Sequence, residues 1–393
     1  MKILHVVPTY LPATRYGGPI HSVHGLCRGL VEAGESVDVL TTSVDGDQDS
    51  DVPHEQPVEL DGVQITYFRS RVGRRLYWAP AMQRALERTI GQYDIVHLHA
   101  VYLWPTNMAA RVAHSAGVPY VISPRGMLVP ELVSRKNAWV KNGWLTLIES
   151  LTLAHAAHVH MTSARELEDA RRLPLPLPSP VIVPNGVNGP ERDFRGQISE
   201  RARALIAGGP YVLFLGRVHW KKGLPRTVEA LRGTTMRLLV CGPDDEGFAS
   251  ELRKLAESLG VGGQVRIEGA VAGADKWALL EAARCVVLAS DNENFGNVVP
   301  EAMWMKTPVV VSDRTGAAEV VERAGAGLVC ERTPEAVRAA LLELWQNDAQ
   351  RAAMGEAGER YARDNLTWRS VAERMLSCYE STVQRGGIGI EGA

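Results

Sequence analysis

Two glutamates, Glu293 and Glu301, are separated by seven residues in the segment Glu293-Asn-Phe-Gly-Asn-Val-Val-Pro-Glu301. Glu293 is predicted on a loop just after the apolar run Cys285 to Ser290, and Glu301 follows Pro300, a residue type favoured in the first helical turn. Both carboxylates can therefore face one ligand at a helix start, where backbone N–H groups lack intrahelical partners. Carboxylates only accept hydrogen bonds, so the pair suits the hydroxyls of a sugar and a ribose.

Three cations, Arg217, Lys221 and Lys222, follow the apolar run Tyr211 to Leu215, which reads as a strand. Ligands of open α/β sheets bind at such strand ends. Fixed positive charges there would stabilise a diphosphate leaving group as its negative charge develops. Alone, this turn would be interpreted as a solvated one. Its combination with the glutamate loop favours a phosphate site over the acid and nucleophile pair of a glycosidase, which has no use for the cations.

The N-terminal half offers weaker candidates. Gly17-Gly18-Pro19 links the first predicted strand to a predicted helix from Ile20 to Ala33, and glycine lets backbone approach a ligand closely. The pattern is not GxGxxG, so the dinucleotide-binding fingerprint is absent. His97, His99 and Arg125 lie at the ends of predicted strands.

Composition describes an ordinary globular enzyme. The chain has 393 residues, 45% of them hydrophobic and 22% charged, which suggests two domains. A net charge of −2 gives no general attraction to nucleic acid. The five cysteines form no CxxC pair and have no metal-ligand spacing, so we expect reduced cysteines in a cytoplasmic setting.

No stretch of the sequence predicts a leader or a membrane span. The first apolar run is too short for a signal peptide and reads as a buried strand. No apolar run reaches the about 20 residues that a transmembrane helix needs. The segment from Arg135 to Trp144 interleaves basic and aromatic residues, which is compatible with peripheral contact to an anionic membrane, although a helix with inward-packed tryptophans is the preferred interpretation.

Short apolar runs alternate with helical patterns along the whole chain, which predicts two doubly wound α/β units with parallel sheets. The predicted strands are Ile3 to Val7, Val37 to Thr42, Val63 to Phe68, Ile95 to His99, Tyr120 to Ser123, Val159 to Thr162, Val181 to Val183, Tyr211 to Leu215, Leu238 to Gly242, Val265 to Gly269, Cys285 to Ser290, Val309 to Ser312 and Gly327 to Cys330. The proline-rich stretch Leu173 to Pro180 and the polar stretch after Gly186 predict a boundary near residues 187–209.

These motifs, together with Tyr93-Asp-Ile-Val-His-Leu-His99 and Val183-Pro-Asn-Gly186, resemble the retaining glycosyltransferases of family 4 over nearly the whole chain. The resemblance implies a GT-B fold, with two Rossmann-like domains facing across a cleft. It places residues 1–187, plus a last helix 367–385 that crosses back, in an acceptor-side domain. Residues 188–366 would bind the nucleotide sugar.

The resemblance also implies roles for individual residues. Arg217 and Lys222 would bind the diphosphate, Glu293 the donor sugar and Glu301 the ribose. The backbone N–H groups of Phe295, Gly296, Asn297 and Val298 would assist them, and Gly17 and Gly18 would line the substrate site. Many members carry a histidine after the strand that corresponds to Tyr120 to Ser123, where this sequence reads Ser-Pro-Arg125. Arg125 or His99 would act in place of that histidine.

No cofactor and no metal are expected, because the cations can stabilise the leaving group. The expected partners are a nucleotide sugar donor and a glycan or polyprenyl-linked saccharide acceptor, with no nucleic acid. A role in bacterial surface polysaccharide synthesis follows by analogy alone. Two other functions remain open: a sugar-nucleotide epimerase of the same fold, and a non-catalytic subunit that binds sugar nucleotides.

Overall fold

The structure is a computed structural model, and it describes residues 1–13, 17–130, 148–190 and 192–388. The chain forms two compact units. Unit 1 comprises Met1–Gly186 together with Trp368–Ala393, and unit 2 comprises Val187–Thr367. The basic and aromatic segment from Arg135 to Trp144 lies outside the described residues.

Unit 1 is built on an eight-stranded sheet with the order β10-β9-β8-β7-β1-β2-β6-β5. Its strands are β1 (Lys2–Thr9), β2 (Ser36–Thr42), β5 (Pro57–Leu60), β6 (Val63–Phe68), β7 (Ile95–His99), β8 (Tyr120–Ser123), β9 (His158–Met161) and β10 (Pro180–Ile182), and a separate hairpin joins β3 (Val44–Asp45) to β4 (Gln48–Asp49). All neighbours in the large sheet pair in parallel except β5 and β6. The strand order reverses between β1 and β7, which is where open α/β sheets bind ligands.

Helices cover both faces of this sheet. The described helices of unit 1 are α1 (Gly18–Glu32), α2 (Pro80–Thr89), α3 (Trp104–Ser115), α4 (Ser150–Ala154), α5 (Ala164–Arg171) and the C-terminal helix, which is α14 (Trp368–Ile388), with 3-10 turns at Arg74–Leu76 and Ile90–Gln92. Alternating side chains of β1 enter two cores: Leu4 and Val6 pack on the face of α2 and α3, whereas Ile3 and Val7 pack on the face of α1 and α14.

Unit 2 has a six-stranded parallel sheet with the order β13-β12-β11-β14-β15-β16. Its strands are β11 (Val212–Leu215), β12 (Leu238–Cys241), β13 (Val265–Glu268), β14 (Cys285–Leu288), β15 (Val309–Ser312) and β16 (Gly327–Cys330). Numbered within the unit, this is the doubly wound order 3-2-1-4-5-6, whose ligand-binding switch point falls between the first and fourth strands. In this chain those strands are β11 and β14.

Eight helices of unit 2 surround that sheet in the described part of the chain. They are α6 (Glu200–Ala207), α7 (Leu224–Ala230), α8 (Phe248–Ser258), α9 (Gly273–Ala282), α10 (Val298–Trp304), α11 (Ala318–Ala324), α12 (Pro334–Gln346) and α13 (Asp348–Asn365), with 3-10 turns at Phe194–Gln197, Trp220–Lys222 and Gly262–Gln264. The central strands β12, β14 and β15 are buried along their whole length, as the apolar runs predict.

The predicted α/β class is confirmed, and each of the predicted apolar runs contributes a strand. The prediction missed β5, because its residues are mostly exposed and lack an apolar run. It pairs antiparallel to β6 at the sheet edge and begins with Pro57, a residue that suits an edge strand. The proline-rich stretch is irregular up to Ser179, but Pro180 itself begins the edge strand β10.

The C-terminal helix is part of unit 1 because it packs closely on α1. The indole of Trp368 lies where a side chain at Gly25 would be, since a Cβ there would come within 2.2 Å of the ring. Val371, Met375 and Tyr379 are buried along the same helix.

The five cysteines are unpaired, and four of them are buried. Among the described residues, no helix combines the length and the apolar character that crossing a bilayer requires.

A buried chain of polar groups runs through the sheet of unit 1. His160 Nε2 lies 2.9 Å from the carbonyl oxygen of Val183, so it must donate, and in a neutral ring its Nδ1 then accepts from Ser123 Oγ at 2.7 Å. Ser123 in turn accepts from His97 Nε2 at 2.7 Å, and His97 Nδ1 accepts from Tyr379 OH at 2.6 Å. These contacts are compatible with two neutral rings, and they connect α14 to the end of β10.

Burial disfavours the charged form of four histidines of this sheet, His5, His97, His99 and His160. It is the main cause that lowers the pKa of His5 and His160 to about 3, and the charge of Arg125 acts in the same direction. Burial also places the pKa of His97 and His99 well below 6.5. All four rings are at most 3% exposed.

The stability of unit 1 should therefore depend on pH. In the unfolded chain these histidines bind a proton below about pH 6.5, but in the folded unit they do not. Their stabilising effect is complete above that pH and is lost as the pH falls toward 3. Between pH 7 and 5.5 we expect the free energy of opening to fall by about 1 kcal/mol for each histidine.

Hydrogen exchange of the β7 and β8 amides, corrected for intrinsic rates, measures this loss. The His160→Gln variant keeps an acceptor and a donor in place of the ring but cannot bind the proton. It should lose about 1 kcal/mol less than the wild type over the same interval. Identical pH dependence in the two proteins would contradict the assignment of neutral buried histidines.

Candidate functional site

The candidate site of unit 2 lies at the carboxyl ends of β11 and β14. These strands pair in parallel through Val212 with Cys285 and Leu213 with Val286. The chain leaves β11 into the turn of Arg217 to Lys222, and it leaves β14 into the loop of Asp291 to Asn297. The backbone N–H of Asp291 donates to the carbonyl of Lys221 at 2.8 Å. The two loops are thereby held side by side at the switch point.

Glycine is required where these loops meet. Gly223 has φ of 70°, in the left-handed region, and a Cβ at this position would lie 1.8 Å from the carbonyl oxygen of Ala289. Only glycine allows the cationic turn to pass this close to the end of β14. The helix α7 then starts directly after it.

Lys222 and Glu293 form an ion pair between the ammonium Nζ and Oε2. Their side chains are 26% and 17% exposed, so both can still be reached from solvent. The backbone of Glu293 is fixed on both sides, because its N–H donates to Arg314 O at 3.1 Å and its carbonyl accepts from Gly316 N–H at 2.8 Å. The structure thus places a fixed carboxylate against the cation that sequence reasoning assigned to a diphosphate.

Glu301 lies in the first turn of α10, eight residues beyond Glu293, and it has its own lysine partner. Lys276 Nζ, from helix α9, lies 2.8 Å from Glu301 Oε1. The same ammonium group lies 4.2 Å from the ring centre of Trp277. Sequence reasoning missed Lys276, because it stands in an ordinary helical pattern outside any motif and meets Glu301 only through the fold.

Arg217 is the most exposed of the predicted cations. Its Nε lies 3.7 Å from Asp245 Oδ2, and the two side chains are 46% and 59% exposed. Asp245 belongs to the turn after β12. The structure shows that this turn lies against the cations.

His219 lies among these charges. Its Nδ1 accepts from the N–H of Lys221, and its Nε2 lies 3.2 Å from Glu246 Oε2. Burial lowers the pKa of His219, the carboxylate of Glu246 opposes this, and the charges of Lys221, Arg217 and Lys222 lower it further. The positive charges of the turn therefore lie close enough together to act on one ring.

The segment between the two glutamates is anchored by a buried phenylalanine. The ring of Phe295 is 2% exposed, and its carbonyl accepts from Ala317 N–H at 2.9 Å, so only its backbone can meet a ligand. Gly296 follows with φ of 91°, and a Cβ there would come within 2.7 Å of Leu288. Asn297 precedes α10, and Val298 is its first residue.

In unit 1, Gly17 lies just before α1 and Gly18 is the first residue of that helix, in the connection that follows β1, a strand that borders the switch point. Gly17 has φ of 72°, and apart from its chain neighbours no atom of the described residues lies within 4 Å of the position its Cβ would occupy. This part of the backbone is therefore open to a ligand. Arg15 and Tyr16, which precede it in sequence, lie outside the described residues.

His99 and Arg125 are brought together, but only Arg125 can meet a ligand. His99 is 1% exposed, and both of its ring nitrogens are engaged. Its Nε2 lies 2.9 Å from His5 Nδ1, and its Nδ1 accepts from Arg125 Nε at 3.3 Å and Nη2 at 3.2 Å. His99 therefore positions Arg125 and cannot contact a sugar, because both of its ring nitrogens are already engaged.

The ring nitrogens of His5, His97 and His99 lie within 4.8 Å of one another, a spacing that a metal ion could use. To bind one, however, His97 and His99 would have to give up hydrogen bonds to Tyr379, Ser123 and Arg125. Arg125 would also bring a positive charge next to the ion.

Both halves of the chain match known protein families. Residues 17–186 match the glycosyl transferase 4-like domain, and residues 197–361 match glycosyl transferases group 1. The D-inositol 3-phosphate glycosyltransferase 1 of Catenulispora acidiphila is 30% identical over 386 residues, which cover 91% of this chain and 89% of that protein. An uncharacterized glycosyltransferase of Methanocaldococcus jannaschii is 25% identical, covering 98% of this chain and 100% of that protein.

Solved structures share the fold at lower identity. Sucrose-phosphate synthase from Thermosynechococcus elongatus superposes with a TM-score of 0.75 at 20% identity, covering 98% of this chain and 100% of the other. HepE from Anabaena, in complex with UDP and glucose, gives a TM-score of 0.72 at 18% identity, covering 97% and 100%. The two Rossmann-like sheets are those of the GT-B fold, and the chain belongs to the glycosyl transferases group 1.

Proposed function

We propose that this glycosyltransferase is a retaining enzyme that moves a sugar from a nucleotide diphosphate sugar to a glycan or lipid-linked acceptor. The observation that carries the proposal is the contact between Lys222 and Glu293 at the carboxyl ends of β11 and β14. One group suits a diphosphate and the other suits the hydroxyls of the attached sugar. Their contact supports a ligand in which a diphosphate and sugar hydroxyls lie a few ångströms apart.

The cations of the turn would act on the leaving group. Transfer breaks the bond between the sugar carbon and the diphosphate oxygen, and negative charge grows on that oxygen. Lys222 provides three donors around a point charge, of which Glu293 uses one. Arg217 is exposed enough to turn from Asp245 to a phosphate. Because these charges are already in place, no divalent metal is required for this step.

The proposed stereochemistry uses the diphosphate itself as the base. The acceptor oxygen bonds to the sugar carbon on the face that the diphosphate leaves, and the proton of the acceptor hydroxyl passes to the departing phosphate oxygen. Glu293 would orient the sugar by accepting from its hydroxyls, and Glu301 would accept from the ribose. Each of these roles uses a carboxylate that a lysine already holds in position.

The relatives support a nucleotide sugar as the donor. HepE has been solved in complex with UDP-glucose, so UDP-sugars are the first donors to test. The name of the Catenulispora relative describes transfer to a phosphorylated inositol. We place the enzyme in the cytoplasm, where nucleotide sugars are made available and the five cysteines would stay reduced. A role in surface polysaccharide synthesis is part of the same proposal.

A screen of melting temperature against UDP-, GDP-, ADP- and dTDP-sugars should identify one preferred donor, because a ligand that binds the folded state raises its stability. Lys222→Ala and Glu293→Ala should each lower turnover of that donor about a hundredfold or more. Lys222→Ala removes a group that stabilises the developing charge, and Glu293→Ala removes the group that aligns the donor sugar for reaction. Turnover is measured as nucleoside diphosphate released in the presence of pooled oligosaccharide and polyprenyl-linked acceptors.

Lys254→Ala and Glu251→Ala, exposed substitutions on α8, serve as matched controls and should leave turnover unchanged. Near-normal turnover in either site variant would refute the site. Conversion of the donor without any acceptor into an epimerised sugar would identify an epimerase. Nucleotide binding without turnover would identify a binding subunit.

The ribose assignment of Glu301 has its own test. Calorimetry should find that the wild type binds UDP about tenfold more tightly than 2′-deoxy-UDP, since a lost hydrogen bond to a charged group costs about 1.5 kcal/mol. Glu301→Ala should bind both nucleotides alike. Lys276→Ala should keep part of the discrimination, because the carboxylate remains but loses its anchor. If Glu301→Ala discriminates as strongly as the wild type, the ribose is bound elsewhere.

A further inference from the structure

Arg125 has a constrained backbone at the end of β8. Its φ is 54°, in the left-handed region that non-glycine residues rarely adopt, and Gly126 follows with φ of 75°. The turn is fixed by hydrogen bonds from Met127 N–H to Pro124 O at 3.2 Å and from Gly126 N–H to Glu166 Oε1 at 2.6 Å. Strain of this kind persists where the surrounding structure holds it, commonly at ligand sites.

The guanidinium of Arg125 keeps unused donors. Nε and Nη2 share the single acceptor His99 Nδ1, and Nη1 donates to Asn185 Oδ1 at 3.2 Å. A guanidinium has five N–H groups, so two of them have no acceptor among the described residues. The residue as a whole is partly exposed, although burial of its guanidinium lowers the pKa of Arg125.

Nothing in the described part of the chain neutralises this charge by direct contact. Arg125 forms no ion pair there, whereas Arg226, Arg284 and Arg351, three partly buried arginines of unit 2, each form one. The nearest acidic influence is Glu166, whose oxygens accept from the N–H groups of Gly126 and Thr162. A positive charge removed from water without a counter-ion is costly.

The groups that hold Arg125 are themselves uncharged. Because Arg125 donates to His99 Nδ1, the proton of His99 is on Nε2 and points to His5 Nδ1. His5 is therefore protonated on Nε2, a buried atom with no hydrogen-bond partner among the described residues. The two neutral rings orient the guanidinium but do not neutralise its positive charge.

We propose that Arg125 binds an oxyanion, a phosphate or carboxylate group carried by the acceptor. This inference rests on the proposed function, in which Arg217 and Lys222 of unit 2 already serve the donor diphosphate. It specifies the acceptor class as an anionic saccharide: a sugar phosphate, a polyprenyl-phosphate-linked sugar or a uronic acid. His99 and Asn185 are positioning residues, since they act through the guanidinium.

The test observes the Arg125 Nε–H signal by nitrogen-15 NMR in the full chain. The signal is assigned by its absence in Arg125→Gln, or in Arg125→Lys if the glutamine variant does not fold. Methyl phosphate and acetate are the probes for the two anion classes. We expect a saturable shift with one of them, and the probe with the tighter binding names the class. Arg88→Gln, an exposed arginine of α2, is the matched control and should leave the titration unchanged.

A second arm separates acceptor from donor. The titration is repeated with UDP at saturation, and the anion should still shift the Arg125 signal with an affinity within about twofold of that in its absence. Arg125→Lys keeps the charge but loses the planar fork, so it should weaken anion binding about tenfold. That affinity is read from probe-induced changes in the side-chain signals of His99.

The proposal is overturned if neither probe produces a saturable shift, or if UDP abolishes the shift by competing for Arg125. A failure of the proposed function is a different result, because it would appear as wild-type protein that gains no stability from any nucleotide sugar.

Discussion

The close packing of two loops at the carboxyl ends of β11 and β14 is the constraint on which the donor site depends. A parallel sheet of order 3-2-1-4-5-6 opens a crevice between these strands, and in this chain the crevice is bordered by a cationic turn and a glutamate loop. The hydrogen bond from Asp291 to Lys221 and the glycine at position 223 hold the loops together. Lys222 and Glu293 meet as a consequence, so a positive and a negative group are fixed side by side before any ligand arrives.

The charged residues assigned to the site have different partners in the two units. In unit 2 the assigned residues Lys222, Glu293 and Glu301 each have an oppositely charged partner, which keeps them ordered while leaving some donors and lone pairs for a ligand. In unit 1 the assigned cation, Arg125, is held by neutral groups, and the histidines behind it are kept uncharged by burial. A site built on paired charges suits a ligand with both phosphate and hydroxyl groups, whereas an unneutralised guanidinium suits an anion.

The sequence was sufficient for the parts of the fold that depend on buried apolar runs. Both sheets could be predicted because continuous Val, Ile and Leu segments mark strands covered on two faces, whereas β5 was missed because it is an exposed edge strand. The approach of Lys222 to Glu293 follows from strand ends that share one sheet edge. The pairing of Lys276 with Glu301 could not be predicted, since it joins two helices through long-range packing that leaves no local pattern. For the same reason the sequence identified His99 as a ligand candidate, and only the fold revealed that both of its nitrogens face protein groups.

The most direct test is to measure by calorimetry how tightly UDP and UDP-glucose bind to the wild type, Lys222→Ala and Glu293→Ala. It asks whether Lys222 binds the diphosphate and Glu293 binds the sugar. If another nucleotide sugar proves to be the donor, the same comparison is made with it and its nucleotide. The account predicts that Lys222→Ala weakens both ligands alike, whereas Glu293→Ala abolishes the extra affinity that the sugar adds and changes nucleotide binding little. The account would be contradicted if Glu293→Ala kept the full difference in affinity between the sugar-bearing and the sugar-free nucleotide. It would also be contradicted if Lys222→Ala bound both ligands as tightly as the wild type does.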